Sequence, residues 1–147
     1  SKLTLATQFG ATEVLDASAG DVVQRVIDMT DGGVDYSFEA IGLKETAEQC
    51  YEMLRAGGTA TIIGMIPEGT KIEIDAGSFL RRERKIQGSS MGSNRFRTDM
   101  PRYIEFYKQG RLKLDELVSQ HLKLDQLNQA FADMKSGTVA RSVIIFD

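Results

Sequence analysis

The side chains best suited to chemistry are few in this chain. One cysteine, Cys50, and one histidine, His121, occur among its 147 residues. Zinc sites in proteins take about three or four protein ligands, so these two residues predict no metal site within the chain. Cys50 lies in a helical pattern typical of a buried apolar residue, and His121 stands alone on an alternating, partly exposed segment. The sequence therefore predicts no catalytic residue and no metal ligand here.

Two runs of residues instead indicate a ligand site made by strand ends. Residues 32–42 and residues 55–64 each contain a short apolar strand pattern that stops at a glycine. A helical pattern lies between them, as in a parallel βαβ unit. Ligands of such sheets bind at the carboxyl ends of the strands, where a glycine lets a ligand approach the backbone. These two strand ends are therefore predicted to carry a ligand.

Apolar spacing, capping residues and glycines predict helices that alternate with strands along the chain. We expect helices over residues 3–9, 22–29, 43–54, 79–84, 100–110 and 125–135. We expect strands over residues 13–16, 34–38, 59–63, 71–75, 85–90 and 141–146, with 71–75 as an exposed or edge strand, and strand or extended chain over residues 117–122. Ser18 or Asp21 is expected to cap the second helix, and Asp99 the fifth. This alternation indicates an α/β fold with a doubly wound parallel sheet.

Composition is that of an ordinary globular domain, with 41% hydrophobic and 27% charged residues. A net charge of −3 argues against a nucleic-acid partner. The basic run at residues 81–85, with Arg95 and Arg97, is the local exception, and it predicts a solvated or subunit-facing surface. No run approaches the ~18 apolar residues of a membrane span, and the first residues do not resemble a signal peptide. We therefore expect no membrane partner and a reducing, cytoplasmic setting.

Several short motifs occur in an order that resembles the medium-chain, zinc-type alcohol dehydrogenase family. They are Lys2 before a helix ending at Phe9-Gly10-Ala11-Thr12, residues 33–42, Gly57-Gly58 before a strand ending at Ile63-Gly64, and Ser136-Gly137 with Arg141 before the last strand. Each motif alone is weak, but the ordered set covers essentially the whole chain. The resemblance implies that residues 1–147 are part of a Rossmann-like dinucleotide-binding domain. Its sheet would be incomplete, because the first two strands, the glycine-rich turn and the zinc-bearing catalytic domain are absent from this sequence.

The resemblance also implies cofactor contacts at the strand ends. Ile41 and Gly42 would cover the adenine, with a plain strand-to-helix turn as the alternative. Ile63, Gly64 and Met65 would bind the nicotinamide carboxamide, with a core strand that needs no ligand as the alternative. These residues would hold the two ends of NAD or NADP along one edge of the sheet.

Further contacts are implied after the next strand and outside it. Ser89 and Met91 would complete the carboxamide site, while Met65 and Ser90 would line the pocket for the alcohol. Lys2 would lie at the adenosine ribose, and the planar guanidinium of Arg141 would bind the pyrophosphate. A surface lysine and a surface arginine are the alternatives for the last two.

By this resemblance, the whole enzyme would transfer hydride between an alcohol/aldehyde pair and NAD or NADP, with zinc polarising the alcohol oxygen. The segment itself would bind no zinc and would be inactive alone. The alternatives are the zinc-free quinone reductase branch, against which the pair Phe38-Glu39 argues, and a non-catalytic assembly module. We also expect a homodimer through the sheet edge near residues 85–91.

Overall fold

The computed structural model describes residues 2–137 and 139–146. They form two compact units: one contains Asp16–Asn94, and the other contains the residues on either side of that segment. The single partial domain expected over residues 1–147 stays a prediction. Among the described residues, every helix is too short or too polar to serve as a membrane span.

Helices and strands alternate through the described residues. The α-helices are α1 (Lys2–Gln8), α2 (Val22–Met29), α3 (Lys44–Glu52), α4 (Ala76–Arg81), α5 (Phe96–Lys108) and α6 (Leu127–Ser136). The strands are β1 (Val34–Glu39), β2 (Leu54–Ile62), β3 (Lys85–Gly88), β4 (Gln120–Leu122) and β5 (Ser142–Ile144). Short 3₁₀ helices cover Ser90–Ser93, Asp115–Leu117 and Leu124–Gln126.

A parallel sheet forms the centre of the Asp16–Asn94 unit. Its strand order is β1-β2-β3, and both neighbouring pairs are parallel. Parallel strands need a crossover connection, which α3 supplies between β1 and β2 and α4 supplies between β2 and β3. In the other unit, β4 and β5 form a separate parallel pair. These parallel pairs confirm the predicted α/β fold.

The core of the central unit lies between β2 and α3. Leu54 and Ala60 of β2 are fully buried, and they pack with Cys50 and Tyr51 of α3. Burying a leucine side chain stabilises a fold by about 1.5–3 kcal/mol, so this contact anchors α3 on the sheet. Cys50 is 8% exposed, which confirms the predicted core role.

Side-chain caps determine where two of the helices begin. Asp21 accepts a hydrogen bond of 3.0 Å from a first-turn amide of α2, so it is the cap among the two predicted candidates. Ser18 donates its hydroxyl hydrogen to Asp16 instead. Asp75 caps α4 in the same way as Asp21 caps α2. The helix predicted over residues 79–84 therefore begins and ends earlier than expected.

Two predicted strands are wrong. Residues 13–16 have no regular secondary structure, because no strand among the described residues pairs with them. Residues 71–75 also lie outside the sheets. The Glu73 N–H donates to the Glu48 carboxylate, 2.7 Å away, instead of to a neighbouring strand, and Ile74 packs against the core. The alternation of apolar and charged residues at 71–75 therefore reflects packing against the core and not pairing with a strand.

The helix cap predicted at Asp99 is also wrong. α5 begins at Phe96 with Arg95 as its N-cap, and Asp99 lies within the helix. The Asp99 carboxylate accepts a hydrogen bond of 2.7 Å from the Arg95 N–H, which lowers the pKa of Asp99. Of residues 117–122, predicted as strand or extended chain, only Gln120–Leu122 form a strand, and the 3₁₀ helix Asp115–Leu117 occupies the start of the segment.

Arg84 contradicts the prediction that the basic run is entirely a surface. This side chain is 6% exposed, and its guanidinium donates to the Leu54 carbonyl oxygen. Its central carbon lies 5.4 Å from the centre of the Tyr51 ring. A guanidinium is more weakly hydrated than an ammonium and stacks on aromatic faces, so this site suits arginine.

Candidate functional site

The three strands of the central sheet end in one row. Strand register places Glu39 opposite Ile62, and Ile62 opposite Gly88. The turns that follow these strands therefore leave the same edge of the sheet. Eight of the predicted site residues lie in these turns: Ile41, Gly42, Ile63, Gly64, Met65, Ser89, Ser90 and Met91.

Large apolar side chains are exposed in these turns. Ile41 is 72% exposed, Met65 is 93% exposed and Met91 is 75% exposed. A ligand site typically combines apolar side chains with a few polar groups. These three side chains give the edge apolar surface that a ligand could contact.

The two glycines of the site let the two turns come into contact, because neither has a side chain. Gly42 has a φ of +94°, and a Cβ added to it would lie 2.8 Å from the Met65 carbonyl oxygen. A Cβ added to Gly64 would lie 2.7 Å from the Gly42 Cα. Real Cβ atoms do not approach backbone so closely. The two turns therefore touch, and this packing requires glycine at both positions whether or not a ligand is bound.

Glu39 is a buried residue at this edge, and its sequence position predicted no role for it beyond a mark of one family branch. It is 2% exposed, and its Oε1 accepts hydrogen bonds from Ile41 N (2.8 Å), Gly42 N (2.7 Å) and Thr46 Oγ1 (2.8 Å). The residue at the N-cap of α3, Leu43, has no side-chain cap. An acidic residue at a strand end, shortly before a helix without a polar cap, was the available signal.

Hydrogen bonding keeps the Glu39 carboxylate ionised. Burial raises its pKa, but hydrogen bonds from the Gly42 N–H, the Thr46 hydroxyl and the Ile41 N–H outweigh burial. Its pKa therefore lies below the usual value for glutamate. The other oxygen, Oε2, is buried and has no hydrogen-bond partner among the described residues.

The turn after β3 has a strained backbone. The Ser89 N–H donates to the Ile62 carbonyl oxygen at 2.9 Å, and the Ser89 and Ser93 hydroxyls are 3.1 Å apart. Met91 has a φ of +49°, in the left-handed region that disfavours residues other than glycine. This strained conformation accompanies the exposure of the Met91 side chain at the sheet edge.

Lys2 and Arg141 belong to the other unit. Lys2 lines a depression of about 520 Å³ together with Ser119, Gly137 and Ala140. The Arg141 carbonyl oxygen accepts hydrogen bonds from the Ser119 N–H (2.9 Å) and hydroxyl (3.0 Å). Arg141 is exposed. Their cofactor roles stay predictions.

The described residues do not fit a zinc ion. They contain no group of three or more potential ligands that could hold a metal. Burial raises the pKa of the Cys50 thiol, and the Glu39 carboxylate adds to this effect against a hydrogen bond with Ser37. Zinc binds the thiolate, so a core thiol with a raised pKa is a poor ligand. His121 is exposed on β4, as predicted for a surface histidine.

Comparison with known proteins agrees with this architecture. Residues 1–109 match the zinc-binding dehydrogenase family. Geraniol dehydrogenase of Carpoglyphus lactis is 34% identical over 146 residues, which cover 99% of this chain and 38% of that protein. Benzyl alcohol dehydrogenase of Acinetobacter calcoaceticus superimposes with a TM-score of 0.91 at 30% identity, covering 99% of this chain and 40% of the other.

A third similar protein is a provisionally named zinc-binding dehydrogenase from Sinorhizobium meliloti 1021, solved bound to NADP. Its TM-score is 0.84 at 30% identity, and the match covers 99% of this chain and 42% of that one. This chain thus spans only about two fifths of the length of these relatives. The family match, the sequence identities and the shared parallel sheet agree, and the chain belongs to the zinc-binding dehydrogenase family.

Proposed function

We propose that this chain is the cofactor-domain portion of a zinc-dependent alcohol dehydrogenase, which transfers hydride between an alcohol/aldehyde pair and NAD or NADP. Relatives named for geraniol and benzyl alcohol support an alcohol substrate. A structural neighbour bound to NADP supports a nicotinamide cofactor. The same relatives support the alcohol dehydrogenase branch over the zinc-free quinone reductases.

The row of exposed apolar side chains at the carboxyl edge carries this proposal. Ile41 would cover one face of the adenine, and the backbone of residues 63–65 would orient the nicotinamide carboxamide with Ser89 and Met91. When bound, the nicotinamide supplies the hydride acceptor or donor. Met65 and Ser90 would then line the pocket in which the alcohol meets it. These residues bind and orient, and none exchanges a proton with the substrate.

Zinc chemistry is not assigned to this chain. Because the described residues do not fit a metal site, the ligands for zinc would lie outside them. We therefore propose that the 147-residue segment alone is inactive.

A homodimer and a reducing, cytoplasmic setting are part of the same proposal. The outer edge of β3 pairs with no strand among the described residues. An unpaired edge can join a second copy of the same strand across a two-fold axis, which would extend the sheet. The single cysteine, which is buried as a free thiol, suits a reducing setting.

Dinucleotide binding tests the proposal. The full-length protein that carries this chain should bind NAD or NADP, measured by isothermal titration calorimetry, and should reduce it only with an alcohol and zinc present. Metal analysis of the isolated 147-residue segment should find no stoichiometric zinc. Failure of the full-length protein to bind either dinucleotide would overturn the proposal, and so would alcohol oxidation by the segment alone.

A further inference from the structure

We propose that Glu39 is a positioning residue for the dinucleotide, because it holds the turn that carries Ile41 against the turn that carries Met65. The inference rests on the proposed function, since it concerns the same edge of the sheet. It adds a residue that would contact no part of the ligand and would act only through the backbone of the two turns.

One carboxylate oxygen organises the first turn. Glu39 Oε1 accepts the Ile41 and Gly42 N–H groups at 2.8 and 2.7 Å and the Thr46 hydroxyl at 2.8 Å. Three donors converge on a single buried oxygen, so they fix the chain from the end of β1 to the start of α3. The exposed Ile41 side chain leaves this turn, and its direction follows from that backbone.

The same residue also binds the second turn. The Glu39 carbonyl oxygen accepts hydrogen bonds from Ile63 N (2.8 Å) and Gly64 N (3.0 Å). The side-chain oxygen Oε2 lies against Gly64, because a Cβ added there would collide with it. Glu39 is therefore bonded to both turns, through its side chain to one and through its main chain to the other.

The negative charge strengthens this arrangement. Oε2 has no hydrogen-bond partner among the described residues and lies beside a glycine. Protonation, or substitution of Glu39 by glutamine, would remove the charge that strengthens the three hydrogen bonds accepted by Oε1. A neutral acceptor holds these donors less strongly, so the Ile41 and Gly42 amides would be released more readily.

The matched variants are Glu39→Gln and Glu45→Gln. Both remove one negative charge near the start of α3, but Glu39 is buried whereas Glu45 is exposed. Two measurements on the full-length protein follow: hydrogen exchange of the Ile41 and Gly42 amides without ligand, and the dissociation constant for NAD and NADP by calorimetry.

In Glu39→Gln, both amides should exchange roughly tenfold faster and the dissociation constant should rise roughly tenfold, the effect of one lost charge-assisted hydrogen bond. Glu45→Gln should change neither beyond about twofold. Dinucleotide affinity of the wild type should also weaken as pH falls through the lowered pKa of Glu39, while that of Glu39→Gln should lack this step.

Two outcomes separate the inferences. If the wild type binds a dinucleotide but Glu39→Gln matches Glu45→Gln in both measurements, the positioning role is overturned and the proposed function stands. If the wild type binds neither dinucleotide, the proposed function is overturned and the positioning role with it.

Should Glu39→Gln not fold, Thr46→Val removes one of the three donors, and it should accelerate amide exchange and weaken binding in the same direction. Unchanged values would refute the role.

Discussion

Gly64 lies against Gly42 with no room for a side chain between the two turns, since an added Cβ would come within 2.7 Å of the Gly42 Cα. Gly64→Ala should therefore force the turns apart and lower the free energy of unfolding by about 1–3 kcal/mol, the usual cost of overpacking. Gly88→Ala, at the end of the next strand, has open space around its Cβ and should change stability by less than about 0.5 kcal/mol. Urea denaturation of both variants is the measurement, and equal effects would contradict the contact.

Arg84 contributes to stability although it belongs to a basic surface run. Arg84→Ala would remove the hydrogen bond to Leu54 and the contact with Tyr51. We expect a loss of about 1–3 kcal/mol in the free energy of unfolding. Arg82→Ala, at an exposed position of the same run, should change it by less than about 0.5 kcal/mol. Thermal and urea unfolding would measure both, and a neutral Arg84→Ala would show that the guanidinium is not buried in solution.

Stability should depend on pH through Glu39. A carboxyl group whose pKa is lower in the folded state than in the unfolded state adds stability that is complete above the unfolded value of about 4.3. That stability is lost as pH falls through the folded pKa. The difference in unfolding free energy between the wild type and Glu39→Gln should therefore be constant near neutral pH and shrink below about pH 4. A difference that stays constant down to pH 3 would argue against an ionised Glu39.

The Cys50 thiol should react slowly in the folded protein. Its pKa is raised by burial and by the Glu39 carboxylate, so little thiolate is present at neutral pH. Alkylation by iodoacetamide at pH 7.5, followed by mass spectrometry, should be at least roughly tenfold slower than in denaturant, where the thiol has its ordinary pKa of about 8.5. Equal rates would place Cys50 outside the core.

Arg141 is the side chain expected to bind the cofactor pyrophosphate. In the full-length protein, Arg141→Ala should raise the dissociation constant for the dinucleotide roughly 10- to 100-fold, because a hydrogen bond to a charged group contributes ~1.5–3 kcal/mol. Arg97→Ala, which removes another exposed arginine, is the control and should leave affinity unchanged within about twofold. If both variants changed the dissociation constant equally, Arg141 would be an ordinary surface residue that does not bind the cofactor.

The sequence predicted the helices and strands that pack against their neighbours in the sequence. β1, α3 and β2 form a continuous βαβ unit, and their apolar spacing and glycines identified all three. The prediction failed where a side chain replaces a backbone partner. The Glu48 carboxylate accepts a hydrogen bond from the Glu73 N–H, so this N–H does not pair with a neighbouring strand at residues 71–75. Alternation of apolar and polar residues cannot distinguish such a segment from a strand, because both bury every second residue.

The candidate site was predictable as a set of strand ends, but its internal support was not. The rule that ligands bind at the carboxyl edge of a parallel sheet predicted the positions of Ile41 and Met65. Both side chains are exposed there. The role of Glu39 depends on a bend that turns its carboxylate back onto the following amides. Arg84 was missed for a related reason, since its neighbours in the sequence are exposed and its burial depends on contacts with Leu54 and Tyr51, which are distant in the sequence.

The contact between Gly42 and Gly64 makes the two turns mechanically coupled. No empty volume separates their backbones, and Glu39 is bonded to both. A displacement of the turn at Met65 must therefore push on the turn at Ile41, and the start of α3 must follow through Thr46. Groups that contact opposite ends of this edge would thus rest on turns that are bonded to each other through Glu39.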